Sequence, residues 1–306
     1  MFTLAHLSDL HLGPLPHGAA CRNFALKRAI GAINWRLNRH RVHDPAVAAA
    51  VAADIQAAGV NHVALTGDIV NVAARAEFPA AARWLRNFGA ADWITFVPGN
   101  HDAYVRCSWE HGLGHLAAYM TGDMRVKSTC TTAQIATAFP FVRLRKNVAL
   151  IGLSSAVPQP LHKAAGELGR TQLDSLAVLL RDLRERGYAR IVLIHHPPLP
   201  GLARPRKALA DATALTGILR EEGAELVLHG HNHEHMHNEL ASRWGTVHVL
   251  GVPSASVTRV VHHPVAAWNK YRISRQGGKW LTGVTVRSWQ PDQRELRTIA
   301  EFSLSS

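Results

Sequence analysis

Residues 62–71 read His62-Val63-Ala64-Leu65-Thr66-Gly67-Asp68-Ile69-Val70-Asn71. A short apolar run with the length of a buried strand stops at a glycine, and a carboxylate follows at once. The same event recurs along the chain. Residues 2–7 run into Ser8-Asp9-Leu10-His11, and residues 93–97 into Gly99-Asn100-His101-Asp102. Residues 191–194 end at His195-His196-Pro197-Pro198, and residues 226–228 at Gly230-His231-Asn232-His233. Two more runs, 148–153 and 247–252, read as strands without such an ending. Between them lie helical patterns at 24–39, 46–58, 77–88, 171–186 and 212–222. Strands alternating with helices predict an α/β fold whose sheets are covered on both faces. After residue 251 the pattern changes. Residues 266–274 and 279–289 flank Gly277-Gly278 as a terminal hairpin would, and a further strand is expected at 296–302. No linker, repeat or low-complexity tract interrupts the chain. The expected organisation is one domain, 1–306, with a basic helical insertion at about 14–43 and a basic β-rich extension at about 254–306.

Five strand ends therefore each deliver a cluster of Asp, Asn or His. Ligands of open α/β sheets bind at the carboxyl ends of strands, so five clusters at one rim would surround one point. Imidazole and carboxylate without thiolate suit divalent Mn, Fe, Zn, Co or Ni. Asp9 and His11 are one residue apart, as are His231 and His233. In an extended segment that spacing puts both side chains on one side. The donors exceed the needs of one ion, and one carboxylate can bridge two ions about 3.5–4 Å apart, the arrangement used for displacement at phosphorus. The glycines before Asp68, Asn100 and His231 would let the backbone approach a phosphate closely. His235 and His237 continue the alternation but fit an exposed strand better than a ligand set. His248 and the His262-His263 pair take no assigned role.

In these five motifs, in this order, the chain from residue 7 to 233 resembles the calcineurin-like metallophosphoesterases, whose pattern is D-x-H, G-D, G-N-H-D, H and G-H-x-H. The resemblance implies a two-sheet αββα sandwich with a dinuclear site at one edge, here with a C-terminal β-hairpin extension. It implies one metal held by Asp9, His11, Asp68 and His233, and a second by Asp68, Asn100, His195 and His231. Asp68 would be the bridge. For the position at the fourth motif, H-x-P favours His195 over His196. His101 would bind no metal; with Asn100 it would contact substrate, donating a hydrogen bond or proton on the leaving-group side, its ring oriented by Asp102. The cofactors implied are two divalent ions, Mn or Fe foremost, and the reaction is in-line attack on a phosphoester by a hydroxide held between them.

Charge bears on the substrate. The chain of 306 residues has a net charge of +12, and the excess sits in two segments. Residues 10–43 and 240–291 hold thirteen bases and no acid, while the rest of the chain is balanced. Such fields gather anions. In the first segment Leu26, Ile30, Ile33 and Leu37 form one apolar stripe, with Lys27, Arg28 and Arg36 off it and Trp35 beside it. That stripe either packs on the core or meets an anionic membrane. In the second segment Trp244, Trp268, Tyr271, Trp280 and Trp289 alternate with bases. They could stack on nucleobases, sit in a membrane interface or fill the hairpin core. The expected partner is an anionic phosphoester, with an anionic membrane surface next and nucleic acid behind it. The foremost reading is a phosphodiesterase of nucleotide-type substrates, similar to the bacterial cyclic-nucleotide phosphodiesterases in size and in its His-His-Pro-Pro element. The runner-up is a membrane-associated UDP-diacylglucosamine pyrophosphohydrolase of lipid A synthesis, with a nuclease or a non-catalytic phosphate-binding protein as further alternatives. No apolar run reaches a membrane-spanning length of about 18 residues. The first residues lack a basic leader, and Cys21, Cys107 and Cys130 have no CxxC spacing. The expectation is a cytoplasmic protein able to lie against the inner face of the membrane.

Overall fold

The apolar runs become two mixed sheets of six strands each. The computed structural model describes residues 1–15, 26–123, 139–259 and 263–306; Cys21, Arg22, Cys130, His262 and the expected helix start at residue 24 lie outside them. The first sheet contains β1 (Phe2–Leu7), β2 (His62–Leu65), β3 (Ile94–Phe96), β10 (Ala267–Gln276), β11 (Lys279–Gln290) and β12 (Glu295–Ser305), in the order β12-β11-β10-β1-β2-β3. The second contains β4 (Phe141–Arg145), β5 (Val148–Gly152), β6 (Ala189–Leu193), β7 (Leu226–His229), β8 (Met236–Ser242) and β9 (Gly245–Gly251), in the order β4-β5-β6-β7-β9-β8. The parallel neighbours β1-β2-β3 form one end of the first sheet, and β5-β6-β7-β9 the centre of the second.

Period-two alternation sorts the side chains of the second sheet into two layers. Ile191, Leu193, Leu226 and Leu228 pack inward with Leu4, Leu65 and Phe96 of the first sheet. Val192, Ile194 and Val227 point outward into a separate apolar cluster. There they meet α4 (Arg170–Glu185) and α5 (Ala212–Glu222). Leu173, Leu176, Leu180 and Leu183 of α4 are spaced 3, 4 and 3, one helical stripe, and all are buried. Each such burial contributes about 2 kcal/mol. On the other side, α2 (Pro45–Ala57) and α3 (Glu77–Phe88) cover the first sheet. Asp44 caps α2 by accepting from the Ala46 N–H at 2.8 Å, with Pro45 in the first turn. Asp54 of α2 accepts from Trp268 Nε1 at 2.8 Å and from Arg287 Nε at 3.0 Å. The layers run α, β, β, α, as the resemblance implies.

The C-terminal strands are part of the first sheet. β10 pairs antiparallel with β1, from Phe2↔Ile273 to His6↔Asn269. Gly277 and Gly278, at φ +54° and +83°, close the β10–β11 hairpin with a two-residue turn that suits only positive φ. The basic aromatics of this segment mostly fill the core: Trp268, Tyr271, Trp280 and Trp289 are buried, and Trp244 alone of the five is exposed. β4 breaks the expected pattern because Arg143 lies in it. That arginine is buried, and its guanidinium donates to the carbonyls of Ala91, Ile94, Ala118 and Thr121.

α1 (Leu26–Leu37) does not pack its apolar stripe on the core, the first of the two orientations left open by the sequence. Its inward side carries Arg28 and Ala32, both buried, with Trp35 partly buried. Arg28 donates to the carbonyls of Val72 and Ala73. Ile30, Ile33 and Leu37 are exposed, Leu37 to 62%; the Leu26 side chain lies outside the described set. Among the described residues no helix is long and apolar enough to cross a membrane.

Candidate metal centre

Five loops at one edge of the two sheets converge, each following a strand. The loop after β1 runs beside the loop after β2: the N–H groups of Asp9, His11 and Leu12 donate to the carbonyls of Gly67, Asp68 and Ile69 at 2.9–3.0 Å. His101 N donates to Asp68 Oδ1 at 2.7 Å and His231 N to Asp9 Oδ2 at 3.0 Å, tying in two more loops. Gly230 N donates to the His195 carbonyl at 3.1 Å.

The convergence does not come from extended backbone. Asp9, His11, Asp68, His231 and His233 all have positive φ, between +43° and +68°. Left-handed backbone is rare outside glycine, though less so for Asp and His, and costs of order 1–3 kcal/mol per residue. D-x-H and H-x-H therefore aim both side chains at one point by a left-handed turn rather than by strand alternation. The glycines also serve a different end from the one expected. A Cβ on Gly67 or Gly99 would collide with the His195 ring, and one on Gly230 with Ser8 and Asp9. The room they give is filled by donor side chains, not by phosphate.

Two donor groups result. Asp9, His11 and His233 bring ligand atoms within 4.8 Å of one another, and so do Asp9, Asp68 and His195. His233 Nε2 stands 3.0 Å from Asp9 Oδ1. Asp68 Oδ2 lies 3.4 Å from His195 Nε2 and 3.9 Å from His11 Nε2, so one carboxylate reaches both groups. At the same nitrogen of His195, Asn100 Oδ1 is 3.2 Å from Nε2, and it is 2.9 Å from His231 Nδ1. Asp9 belongs to both groups, Asp68 reaches from one to the other, and Asn100 and His231 adjoin His195.

This donor set fits two divalent ions. Both ring nitrogens of the fully buried His11, and Nε2 of His231, have no hydrogen-bond partner. Buried polar atoms left unpaired are costly, and coordination would satisfy one nitrogen of each ring. His195 Nδ1 donates to the Thr66 carbonyl at 2.7 Å, which turns Nε2 toward Asp68 and Asn100, the orientation a ligand imidazole requires. His196 is excluded by its own bonds: Nδ1 pairs with Ser155 Oγ at 2.7 Å and Nε2 with the Ala164 carbonyl at 3.1 Å.

The electrostatics agree. Burial, then Arg39 and His43, hold the His11 imidazole well below its ordinary pKa, and burial with His196 and His195 does the same for His231. Both rings are thus neutral and ready to coordinate. Burial would lift the Asp9 carboxyl, but His233 holds it well below the usual range. Burial lowers the His195 ring too, yet Asp68 and Asp9 outweigh it and push it up to about 9.

His101 and Asp102 sit beside this centre with partners other than those expected. The Asp102 carboxylate accepts four backbone N–H groups, from Asp68, Ile69, Val70 and Gly99, at 2.8–3.1 Å. It braces the loops of the centre and does not orient His101. The His101 ring is held instead by Asn71, whose carbonyl accepts from Nδ1, and by Arg39, whose Nη1 lies 3.0 Å from Nε2. Burial and Arg39 lower the ring to a pKa of about 3, so it is neutral. Glu77 in turn fixes the Asn71 loop, accepting from the N–H groups of Asn71, Val72 and Ala74.

Sequence reasoning missed several residues around the centre. His43 is buried with its ring 4.6 Å from that of His11, and its Nδ1 pairs with Ser256 Oγ. A cavity of about 310 Å³ opens over Asp68, Asn100, His231 and His233, and Arg39, Lys207, Arg259 and His263 also line it. The acid-free segments were a signal for Arg39, His43 and Arg259. For Lys207 there was none, because it stands outside both.

A family model described as calcineurin-like phosphoesterase matches residues 2–235. A probable cyclic nucleotide phosphodiesterase of Synechococcus sp. (strain WH7803) is 34% identical over 126 residues, 39% of this chain and 46% of that protein. The chain thus matches less than half the length of that curated relative. Among solved structures, a dimetal phosphatase from Danio rerio aligns over 98% of each chain at 15% identity, with a TM-score of 0.60. The sulfate thiohydrolase SoxB of Thermus thermophilus aligns over 97% of this chain and 58% of its own at 17% identity, with a TM-score of 0.55. At these identities the two structures establish the fold.

Proposed function

The chain belongs to the calcineurin-like phosphoesterase family, and from that premise we propose that this metal-dependent phosphoesterase is a phosphodiesterase acting on a nucleotide-type substrate. The observation that carries the reading is the Asp68 carboxylate, shared between two donor groups so that two ions would lie side by side under one cavity. Asp9, His11, Asp68 and His233 would hold one ion, and Asp68, Asn100, His195 and His231 the other, with Mn or Fe foremost. When bound, such ions supply Lewis acidity at phosphorus and lower the pKa of water. The chain's own residues do the rest. Arg39, Lys207 and Arg259 gather the phosphate and stabilise charge on its oxygens. His101 keeps its proton on Nδ1, against the Asn71 carbonyl, so Nε2 accepts from Arg39. On this reading Arg39 presents the donor to substrate, and His101 is the residue that positions it. The nucleotide preference is supported by the name of the curated relative. A panel of bis-p-nitrophenyl phosphate, cyclic AMP, a UDP-acylated sugar and single-stranded DNA, assayed with manganese, tests it. Turnover of cyclic AMP above the others is expected; turnover of none of the four would favour a phosphate-binding protein.

One observation favours the runner-up, a lipid-linked pyrophosphate substrate. Ile30, Ile33 and Leu37 face outward from a helix whose following turn carries Arg39 into the cavity. A helix that turns its apolar stripe to solvent beside a phosphate site suits a substrate held at a membrane surface. Preferential cleavage of the UDP-acylated sugar in the same panel would put this reading first.

A further inference from the structure

β8 and β9 carry a second group of metal-ligating side chains that shares no residue with the centre described above. In their antiparallel register Glu239 stands opposite His248, and His237 lies two residues before Glu239. Alternation therefore puts all three side chains on one face of the sheet. Their donor atoms converge. His237 Nε2 is 3.3 Å from His248 Nδ1, and Glu239 Oε1 is 3.4 Å from His248 Nδ1 and 3.8 Å from His237 Nε2. Bonds of about 2.05 Å to a tetrahedral zinc ion set neighbouring ligands about 3.3 Å apart. Two of the three edges already have that length, and the third involves Glu239, whose exposed side chain is free to adjust.

The rings are also prepared for coordination. His248 Nε2 donates to the Ser305 carbonyl at 3.1 Å, which places the proton there and aims the bare Nδ1 into the group. The His237 ring stacks on Phe302, with centroids 5.7 Å apart and planes 22° from parallel. Both supporting residues come from β12.

We propose that His237, Glu239 and His248 bind one divalent ion of the zinc type, with two imidazoles and one carboxylate as ligands and a fourth position open to water. β8 is the edge strand of the second sheet and β12 the edge strand of the first. An ion at this place would cross-link β8 to β9, with its two imidazoles backed by Ser305 and Phe302 of β12.

The test is a count of bound zinc on the full-length chain, stripped of metal, dialysed against zinc and analysed by mass spectrometry. The wild-type protein should hold one equivalent more than either Glu239→Gln or His237→Gln, and that equivalent should bind at least about 10-fold more weakly once a ligand is lost. Cobalt(II) provides a second readout. A tetrahedral site absorbs strongly in the visible, and Glu239→Gln should remove that absorption. Because Glu239 is exposed, its substitution leaves the metal-free melting temperature unchanged, which separates loss of the ion from loss of the fold. Equal zinc counts in the wild type and both variants, or a cobalt spectrum untouched by Glu239→Gln, would show a hydrogen-bonded cluster only and overturn the site.

Discussion

At the scale of single residues, the centre depends on which atom carries charge or proton. Asp68→Asn removes the negative charge that two cations would share, leaving them to repel at short range. One of the two ions of the centre should be lost, with turnover of bis-p-nitrophenyl phosphate falling by at least about 10³-fold and the circular dichroism unchanged. Full metal content with normal turnover in this variant would sink the bridging role. His195 makes a second prediction. Its ring is raised to about 9 in the metal-free protein, so at neutral pH it holds a proton that coordination must displace. Manganese affinity should therefore climb with pH between 7 and about 9, by up to tenfold per unit from this one group, and level off above. Calorimetry in buffers of different ionisation enthalpy should show the proton released; a flat affinity over that range would contradict it. A third prediction separates Arg39 from His101. If Arg39 is the donor and His101 its support, Arg39→Gln and His101→Ala should each lower kcat by roughly 10²–10⁴-fold, equally for good and poor leaving groups. A loss in His101→Ala that shrinks with p-nitrophenolate would restore the ring as the proton donor.

At the scale of elements, α1 is informative because its faces are reversed. Arg28 lies inside and donates to two carbonyls, whereas Ile33 and Leu37 lie outside. Arg28→Gln should cost roughly 1–3 kcal/mol of stability, since it strands buried carbonyls. Ile33→Gln should leave thermal melting unchanged within about 0.5 kcal/mol. The same Ile33→Gln, combined with Leu37→Gln, should release the protein from anionic vesicles in sedimentation at low salt if the helix meets a membrane. A wild-type protein that stays in the supernatant would remove that reading and leave the soluble nucleotide substrate ahead. Of the bases that the sequence sets beside the stripe, Arg28 is spent on the Val72–Ala73 carbonyls and Lys27 on the Gln159 carbonyl. Arg36 remains at the surface.

At the scale of the whole molecule, the extension after residue 254 is half of one sheet. Removing residues 266–306 would strip β1 of its antiparallel neighbour and take the fully buried Trp268 and Tyr271 out of the core. Since the loop of Asp9 and His11 hangs from β1, that truncation should yield no cooperative melting transition and no tight metal binding. A truncated chain that melts cooperatively would show that the extension is dispensable. The amino-acid sequence by itself determined the alternation of strands and helices, the order of the five donor motifs and the identity of the donor side chains. These follow from local periodicity and from chemistry that each short segment carries alone. It could not determine how D-x-H and H-x-H converge, because left-handed φ at Asp9, His11, His231 and His233 is imposed by loops that meet only in the folded chain. Nor could it assign Asp102 to backbone N–H groups rather than to His101, or turn the apolar face of α1 outward, or bring His237, Glu239 and His248 together. Those outcomes are contacts between residues distant in sequence or on neighbouring strands, and their energies exist only once the tertiary structure has set the distances.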